Sequence, residues 1–216
     1  MRYQAALLDM DGTILDTLED LHLAVNHVLD ERGLPLRTLA QTRATVGHGI
    51  LSLVHDSCPE GTPDDVVRSA FDDFNDWYKV HCADHTHPYE GIPELLRDLR
   101  HAGVALAVVS NKSDYAVQEL AERYFPDAFD CAMGAHAGCP KKPDPAMCRL
   151  ALEAMDVDAD KACYVGDSEV DVATAANARL DGIICEWGFR DRDVLVAAGA
   201  TTLVPDVAAL RDLLLG

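Results

Sequence analysis

Two carboxylates two residues apart, Asp9 and Asp11, close the apolar run Ala5-Ala6-Leu7-Leu8, and Gly12-Thr13 follows them. On a strand that continues through both, their side chains project from one face. Like charges held that close repel, and folding alone supplies no reason to set them there. A divalent cation does: it neutralises the pair and leaves a carboxylate oxygen directed at a phosphate. The alternative for a bare Asp-Met-Asp is a strand that ends in a polar turn, for which Gly-Thr is equally suited.

Three more polar clusters sit behind or between apolar runs. Ser110-Asn111-Lys112 follows the β-rich run 104–109. Lys141-Lys142-Pro143-Asp144-Pro145 comes after a weaker run at 130–133, and Gly166-Asp167-Ser168-Glu169-Val170-Asp171 after 162–165. Singly, each has an ordinary reading: a structural turn, two solvated lysines, an aspartate capping a helix. Together they fall at the carboxyl ends of separate strands, the edge where open parallel sheets bind ligands.

The elements that must position these groups are legible as hydrophobic period. Leu18, Leu21, Val25, Val28 and Leu29 form one helix face that ends near Gly33-Leu34-Pro35. A segment at 39–46 runs into Gly47-His48-Gly49, and 50–54 resumes a helix. Thr62-Pro63-Asp64-Asp65 reads as a capping signal with Pro at the first helical position, ahead of a face made by Val67, Ala70, Phe71, Phe74, Trp77 and Tyr78. Residues 16–87 are therefore expected to be helical throughout. From Pro88-Tyr89-Glu90-Gly91 onward, helices at 92–101, 115–124, 146–155, 171–178 and 207–214 alternate with strands at 104–109, 130–133, 162–165, 182–185 and 202–204. That order predicts an α/β fold: a Rossmann-like parallel sheet core (1–15 and 88–216), covered on both faces, with an inserted α-helical domain (16–87).

Composition narrows the function classes. At 49% hydrophobic residues, the 216-residue chain can bury a full core. Eighteen Lys+Arg against 37 Asp+Glu give a formal charge of −19, which argues against nucleic acid and anionic membranes as partners. It also requires an anionic substrate to be met by local positive charge. No apolar run approaches the roughly 18 residues of a membrane span. Met-Arg-Tyr-Gln ahead of the first strand leaves no room for a signal peptide. Seven scattered cysteines without a CxxC pair point to reduced thiols, and the expected location is cytoplasmic. His81, Cys82, His85 and His87 cluster, but at no standard zinc spacing, and are read as bordering the second linker of the helical insertion.

Asp9-Met10-Asp11-Gly12-Thr13 with Leu15-Asp16-Thr17 resembles the first signature of the haloacid dehalogenase superfamily of phosphotransferases. The likeness runs over essentially all of the chain and leads to the branch that contains phosphoglycolate phosphatases. The resemblance implies roles. Asp9 would be the nucleophile, forming an aspartyl-phosphate, and Asp11 the general acid/base. Dehalogenases lack an Asp at the second position and phosphonate-cleaving relatives carry a small residue there, so neither chemistry fits. Ser110 and the Asn111 amide would bind a transferring phosphoryl oxygen. Lys142, rather than Lys141, matches the cation that offsets charge on the phosphoryl group, because Lys-Pro-Asp-Pro fits the family pattern. Asp167 would ligate Mg²⁺ together with the Asp9 carboxylate and the Asp11 main-chain carbonyl, and Asp171 would orient either the metal's waters or Lys142.

In the helical cap that the family carries, Arg43 and Gly47-His48-Gly49 match a segment facing the site in phosphoglycolate-type enzymes. Arg43 there either pairs with a substrate carboxylate or is a solvated helix residue. Asn177-Ala178-Arg179 departs from the family's usual Gly after the Ala-rich helix, and Trp187-Gly188-Phe189 is expected at the site entrance. The implied activity is Mg²⁺-dependent hydrolysis of a small phosphomonoester, phosphoglycolate-like by first choice. A phosphosugar mutase and a non-catalytic binding protein on the same fold are the alternatives. Monomer or dimer is left open.

Overall fold

The computed structural model describes residues 2–216. The first apolar run forms β1 (Ala5–Leu8), buried along its whole length. The chain leaves the sheet through β2 (Leu15–Asp16) and enters four helices, α1 (Leu18–Asp30), α2 (Leu39–Thr45), α3 (Ile50–Ser57) and α4 (Asp64–His81). It returns through β3 (His87–Pro88), which pairs antiparallel with β2, Leu15 opposite Pro88 and Asp16 opposite His87. Both linkers of the insertion are thus joined in one short ribbon.

The remainder alternates: α5 (Ile92–His101), β4 (Ala105–Ser113), α6 (Asp114–Tyr124), β5 (Cys131–Ala135), α7 (Ala146–Met155), β6 (Ala162–Gly166), α8 (Glu169–Ala178), β7 (Asp181–Cys185), α9 (Arg192–Ala197), β8 (Leu203–Val204) and α10 (Val207–Leu215). The six-stranded sheet is ordered β5-β4-β1-β6-β7-β8 and every pairing in it is parallel. β1 lies between the two strands it needs, Ala5 opposite both Ala105 and Ala162.

Alternation along β1 splits the core into two layers. Ala5 and Leu7 join Ala107, Val109 and Tyr164 against Met147, Cys148 and Ala151 of α7 and Ala175 of α8. Ala6 and Leu8 join Leu106, Val108 and Val165 against Leu95 and Leu99 of α5, Leu120 of α6 and Leu210 of α10. Burying both faces explains why these strands read as continuous apolar runs. Within the insertion, Leu21, Val25 and Val28 of α1 meet Val67, Ala70, Phe74 and Tyr78 of α4, all buried.

Several expectations need correction in detail. β4 does not stop at Val109: it runs on through Ser110-Asn111-Lys112 to Ser113, with a shift of register against β5 between Val109 and Ser113. Thr62 does not cap α4; its hydroxyl donates to the Pro59 carbonyl, and Pro63 occupies the N-cap position. Helix α9 carries no strong periodic face and was not anticipated. At the end of α8 Arg179 takes the left-handed conformation (φ 59°) that a Gly adopts without a steric penalty. No helix among the described residues is long and apolar enough to cross a membrane.

Candidate active site

The carboxyl ends of β1, β4 and β6 converge on one small cavity. Asp9 extends β1 by one residue, its N–H donating to Val165 O at 2.9 Å. The chain then turns tightly, with the N–H groups of Thr13, Ile14 and Leu15 all directed at Met10 O. Gly12 sits inside this turn at φ +79°, and a Cβ there would lie 2.3 Å from Asp167 Oδ2. Gly188 presses from the other side, where a Cβ would lie 2.3 Å from Asp167 Cβ. Asp167 is therefore clamped between two backbones that only glycine permits to approach. Phe189 N–H (2.7 Å) and the Thr13 hydroxyl (3.2 Å) donate to its two oxygens.

Lys142 is buried and its ammonium reaches three partners: Asp9 Oδ2 at 2.8 Å, Asp171 Oδ1 at 2.8 Å and the Tyr164 hydroxyl at 2.9 Å. Lys141 is exposed, which separates the two neighbours. Asp171 is saturated by donors. Besides Lys142 and Tyr164 on Oδ1, its Oδ2 accepts from Asp167 N–H, Ser168 N–H and the Ser168 hydroxyl. Of the two roles left open for Asp171, the contacts are those of a group that holds Lys142.

Electrostatics show what the cluster lacks. Burial pushes Asp9 up to about 6, with Lys142 pulling against it and Asp171 pushing with it. Asp167 is held well above the ordinary carboxylate range, by burial first and then by the Asp171 and Asp9 charges. Burial also acts to raise Asp171, but the Lys142 ammonium outweighs it and holds that carboxyl low. Burial opposes the charge on Lys142, yet Asp171 and Asp9 together raise its pKa. Asp9, Asp167 and Asp171 can place oxygens within 4.8 Å of one another against this single ammonium. Fully ionised, they carry an uncompensated negative excess in a water-poor place. Asp9 and Asp167, less occupied by donors than Asp171, are hard oxygen ligands of the kind that suits Mg²⁺.

Ser110 and Asn111 line the same cavity, as do Asp11, Gly47 and Gly49. The Asn111 side chain is committed to scaffolding: its amide donates to Lys142 O and Gly47 O, both at 3.0 Å, and its carbonyl accepts from Lys142 N–H at 2.8 Å. Arg43 and His48 do not reach the cavity. Arg43 pairs with Asp191 at 3.1 Å and donates to Gly188 O at 3.2 Å; His48 is half exposed, 3.7 Å from Glu169. Phe189 lines the cavity, whereas Trp187 braces the turn behind it through a bond to Thr13 O.

Residues 6–184 match the family described as haloacid dehalogenase-like hydrolase. The chain belongs to that family. Among relatives of this hydrolase, the phosphoglycolate phosphatase of Chromobacterium violaceum is 31% identical over 216 residues, 98% of this chain and 96% of that one. The N-acetylmuramic acid 6-phosphate phosphatase of Pseudomonas aeruginosa is 28% identical, over 99% and 96% of the two chains. A crystal structure from Lactobacillus delbrueckii subsp. bulgaricus superposes with a TM-score of 0.94 at 37% identity, covering 100% of both chains.

Two cavity residues of this hydrolase escaped the sequence reading. Lys112 looked like the end of a turn, but it lies within β4 with its side chain wholly buried, 2.9 Å from Asp11 Oδ1. Arg190 follows the noted Trp-Gly-Phe turn. Its guanidinium pairs with Glu169 at 2.8 Å and donates to the carbonyls of Arg43 (3.0 Å) and Val46 (2.6 Å) in the insertion. Nothing in the local sequence marks either residue; only the sheet order brings them to the site.

Proposed function

We propose that this hydrolase is a Mg²⁺-dependent phosphomonoesterase working through an aspartyl-phosphate on Asp9. One observation carries the reading: a buried ammonium bonds the would-be nucleophile and a saturated carboxylate, while Asp9 and Asp167 still face each other with negative charge to spare. Asp9, Asp167 and the Asp11 carbonyl would hold Mg²⁺, which when bound supplies positive charge to the transferring phosphoryl group. Asp9 attacks phosphorus. Asp11, two residues on, gives its proton to the leaving oxygen and takes one from water in the second half-reaction. Lys142 keeps Asp9 ionised and aimed, and Ser110 offers its hydroxyl to a phosphoryl oxygen.

Residues 16–87 act as a cap on a core of 1–15 and 88–216, hinged at the β2/β3 ribbon, and exclude water from the cavity. The cap contributes Leu21, Val46, Ile50 and Leu53 to the wall, with Gly47 and Gly49 presenting backbone instead of side chains. Such a wall suits a short leaving group. Taken with the phosphoglycolate phosphatase relative, it makes a phosphoglycolate-like small metabolite the preferred substrate, and the unpaired thiols fit a cytoplasmic enzyme.

Phosphate release from 2-phosphoglycolate, hexose phosphates and N-acetylmuramic acid 6-phosphate, with Mg²⁺ and with EDTA, tests this. Phosphate should appear fastest from 2-phosphoglycolate, stop in EDTA and return on adding Mg²⁺. Full activity in chelator would refute the metal. Transfer of the phosphoryl group between sugar positions without phosphate release would make it a mutase.

A further inference from the structure

Lys112 is the one lysine of β4, and its ammonium is placed where a strand core gives it no water. The side chain is 0% exposed. A buried ammonium is costly unless matched, and a structural strand position is served at least as well by an apolar residue of the same volume. Its partners are informative. One is Asp11 Oδ1, at 2.9 Å. The other is the Tyr78 hydroxyl, at 2.7 Å, with the ammonium also 4.7 Å above the ring centroid. Tyr78 is fully buried on α4, in the helical insertion, whereas Lys112 and Asp11 belong to the sheet edge. Both hydrogen bonds to the Asp11 side chain, from Lys112 and from the Thr17 hydroxyl (2.7 Å), land on Oδ1, leaving Oδ2 for the proton.

We propose that Lys112 is a positioning residue that aims the Asp11 carboxyl, and that Tyr78 of the insertion holds Lys112 in place to do so. This rests on the phosphomonoesterase reading, in which Asp11 is the acid/base. Seating of the helical insertion then completes the acid at the same time as it closes the cavity, because the phenol that fixes Lys112 arrives with α4.

The test is kcat and KM in Mg²⁺ for two esters, 2-phosphoglycolate with its poor leaving group and p-nitrophenyl phosphate with its good one. Lys112→Met should lower kcat/KM about 100-fold on 2-phosphoglycolate and no more than about threefold on p-nitrophenyl phosphate, as loss of a general acid predicts. That ratio reports only the steps through release of the leaving group, whereas kcat also contains the shared water attack for which Asp11 is the base and can fall on both. Tyr78→Phe keeps the ring and removes only the hydroxyl, so it should show the same bias at about tenfold, the worth of one bond to a charged group. The double variant should match Lys112→Met alone, since Tyr78 acts through Lys112. Equal losses of kcat/KM on both esters, or a double variant whose losses multiply, would overturn the proposal and leave Lys112 a structural ion pair. Asp11→Asn is the control. If it shows the leaving-group bias and Lys112→Met does not, this inference falls alone; if the wild type turns over neither ester, the reading of the site falls with it.

Discussion

Asp20 joins the two linkers of the helical insertion, and its removal has a calculable effect. Its carboxylate has no solvent exposure and accepts His85 N–H at 3.0 Å, Thr86 N–H at 2.8 Å and His85 Nδ1 at 2.9 Å. The first turn of α1 is thereby tied to the strand-like segment just before β3. Asp20→Asn keeps the volume but has one carbonyl oxygen for two backbone donors and turns an NH₂ toward them. Bonds to charged groups are worth about 1.5–3 kcal/mol each and a stranded buried donor costs about 1–3, so a net loss of about 2–4 kcal/mol is expected. For a chain of this size that lowers Tm by roughly 5–15 °C.

The pH dependence follows from two opposite shifts. Burial acts to raise Asp20, but the His85 and Thr86 donors outweigh it and hold the carboxyl below its ordinary value. Its contribution is thus full above the unfolded pKa of about 3.9 and lost as pH falls through the lower folded value. His85 is raised, first by its bond to Asp20, against partial burial and with Glu19 and Asp84 adding to it. Its part is full below about 6.5 and lost as pH rises through the folded value. The wild type's advantage over Asp20→Asn should therefore peak between about pH 4 and 6.5 and decline, without vanishing, above. Thermal unfolding by circular dichroism across pH, with the His85 titration followed by NMR, checks both. An unchanged Tm, or a His85 pKa that does not fall in Asp20→Asn, would refute the reasoning.

Three further outcomes are expected. Gly188→Ala places a Cβ 2.3 Å from Asp167 Cβ and 2.5 Å from Gly12 O. It should weaken Mg²⁺ binding at least about tenfold by calorimetry, in a protein destabilised by about 1–3 kcal/mol. Lys142→Met strands Asp9 and Asp171 as buried charges, so it should abolish turnover and cost about 3–5 kcal/mol in urea unfolding. A loss below 1 kcal/mol would contradict the network. Arg43→Ala and Asp191→Ala remove an ion pair that has solvent on one side. Each should lower kcat/KM no more than about fivefold, alike on 2-phosphoglycolate and p-nitrophenyl phosphate, and the double variant should be no worse. A loss confined to the carboxylate-bearing ester would show Arg43 reaching substrate.

What the sequence made legible were features encoded locally. β1 is four apolar residues ending at Asp9, α7 is bounded as its period predicts, and Asp167 follows a continuous buried strand. What it hid depends on long-range placement. Lys112 looked like turn chemistry because three polar residues followed an apolar run, yet β4 carries them inward under α4. Asp20 looked like an ordinary acidic residue in a first helical turn; its partners are 65 and 66 residues away. Arg43, a cation on the expected segment, faces Asp191 instead of the cavity, a choice made by a carboxylate 148 residues downstream.

The position of β1 has a consequence for synthesis on the ribosome. Of the six strands of this sheet, the earliest in the chain is a central one, and it pairs on one side with residues from Ala105 and on the other with residues from Ala162. At roughly 5–20 residues per second, the run Ala5–Leu8 waits about 10–30 s for its second neighbour to be translated. Both edges of this apolar run are open until β4 is made and one stays open until β6 follows, while the helices of the insertion, made next, have their mutual contacts within reach. The nascent chain therefore carries an apolar strand with an unpaired edge through that interval, and a chaperone that shields it would protect the strand from which Asp9 extends.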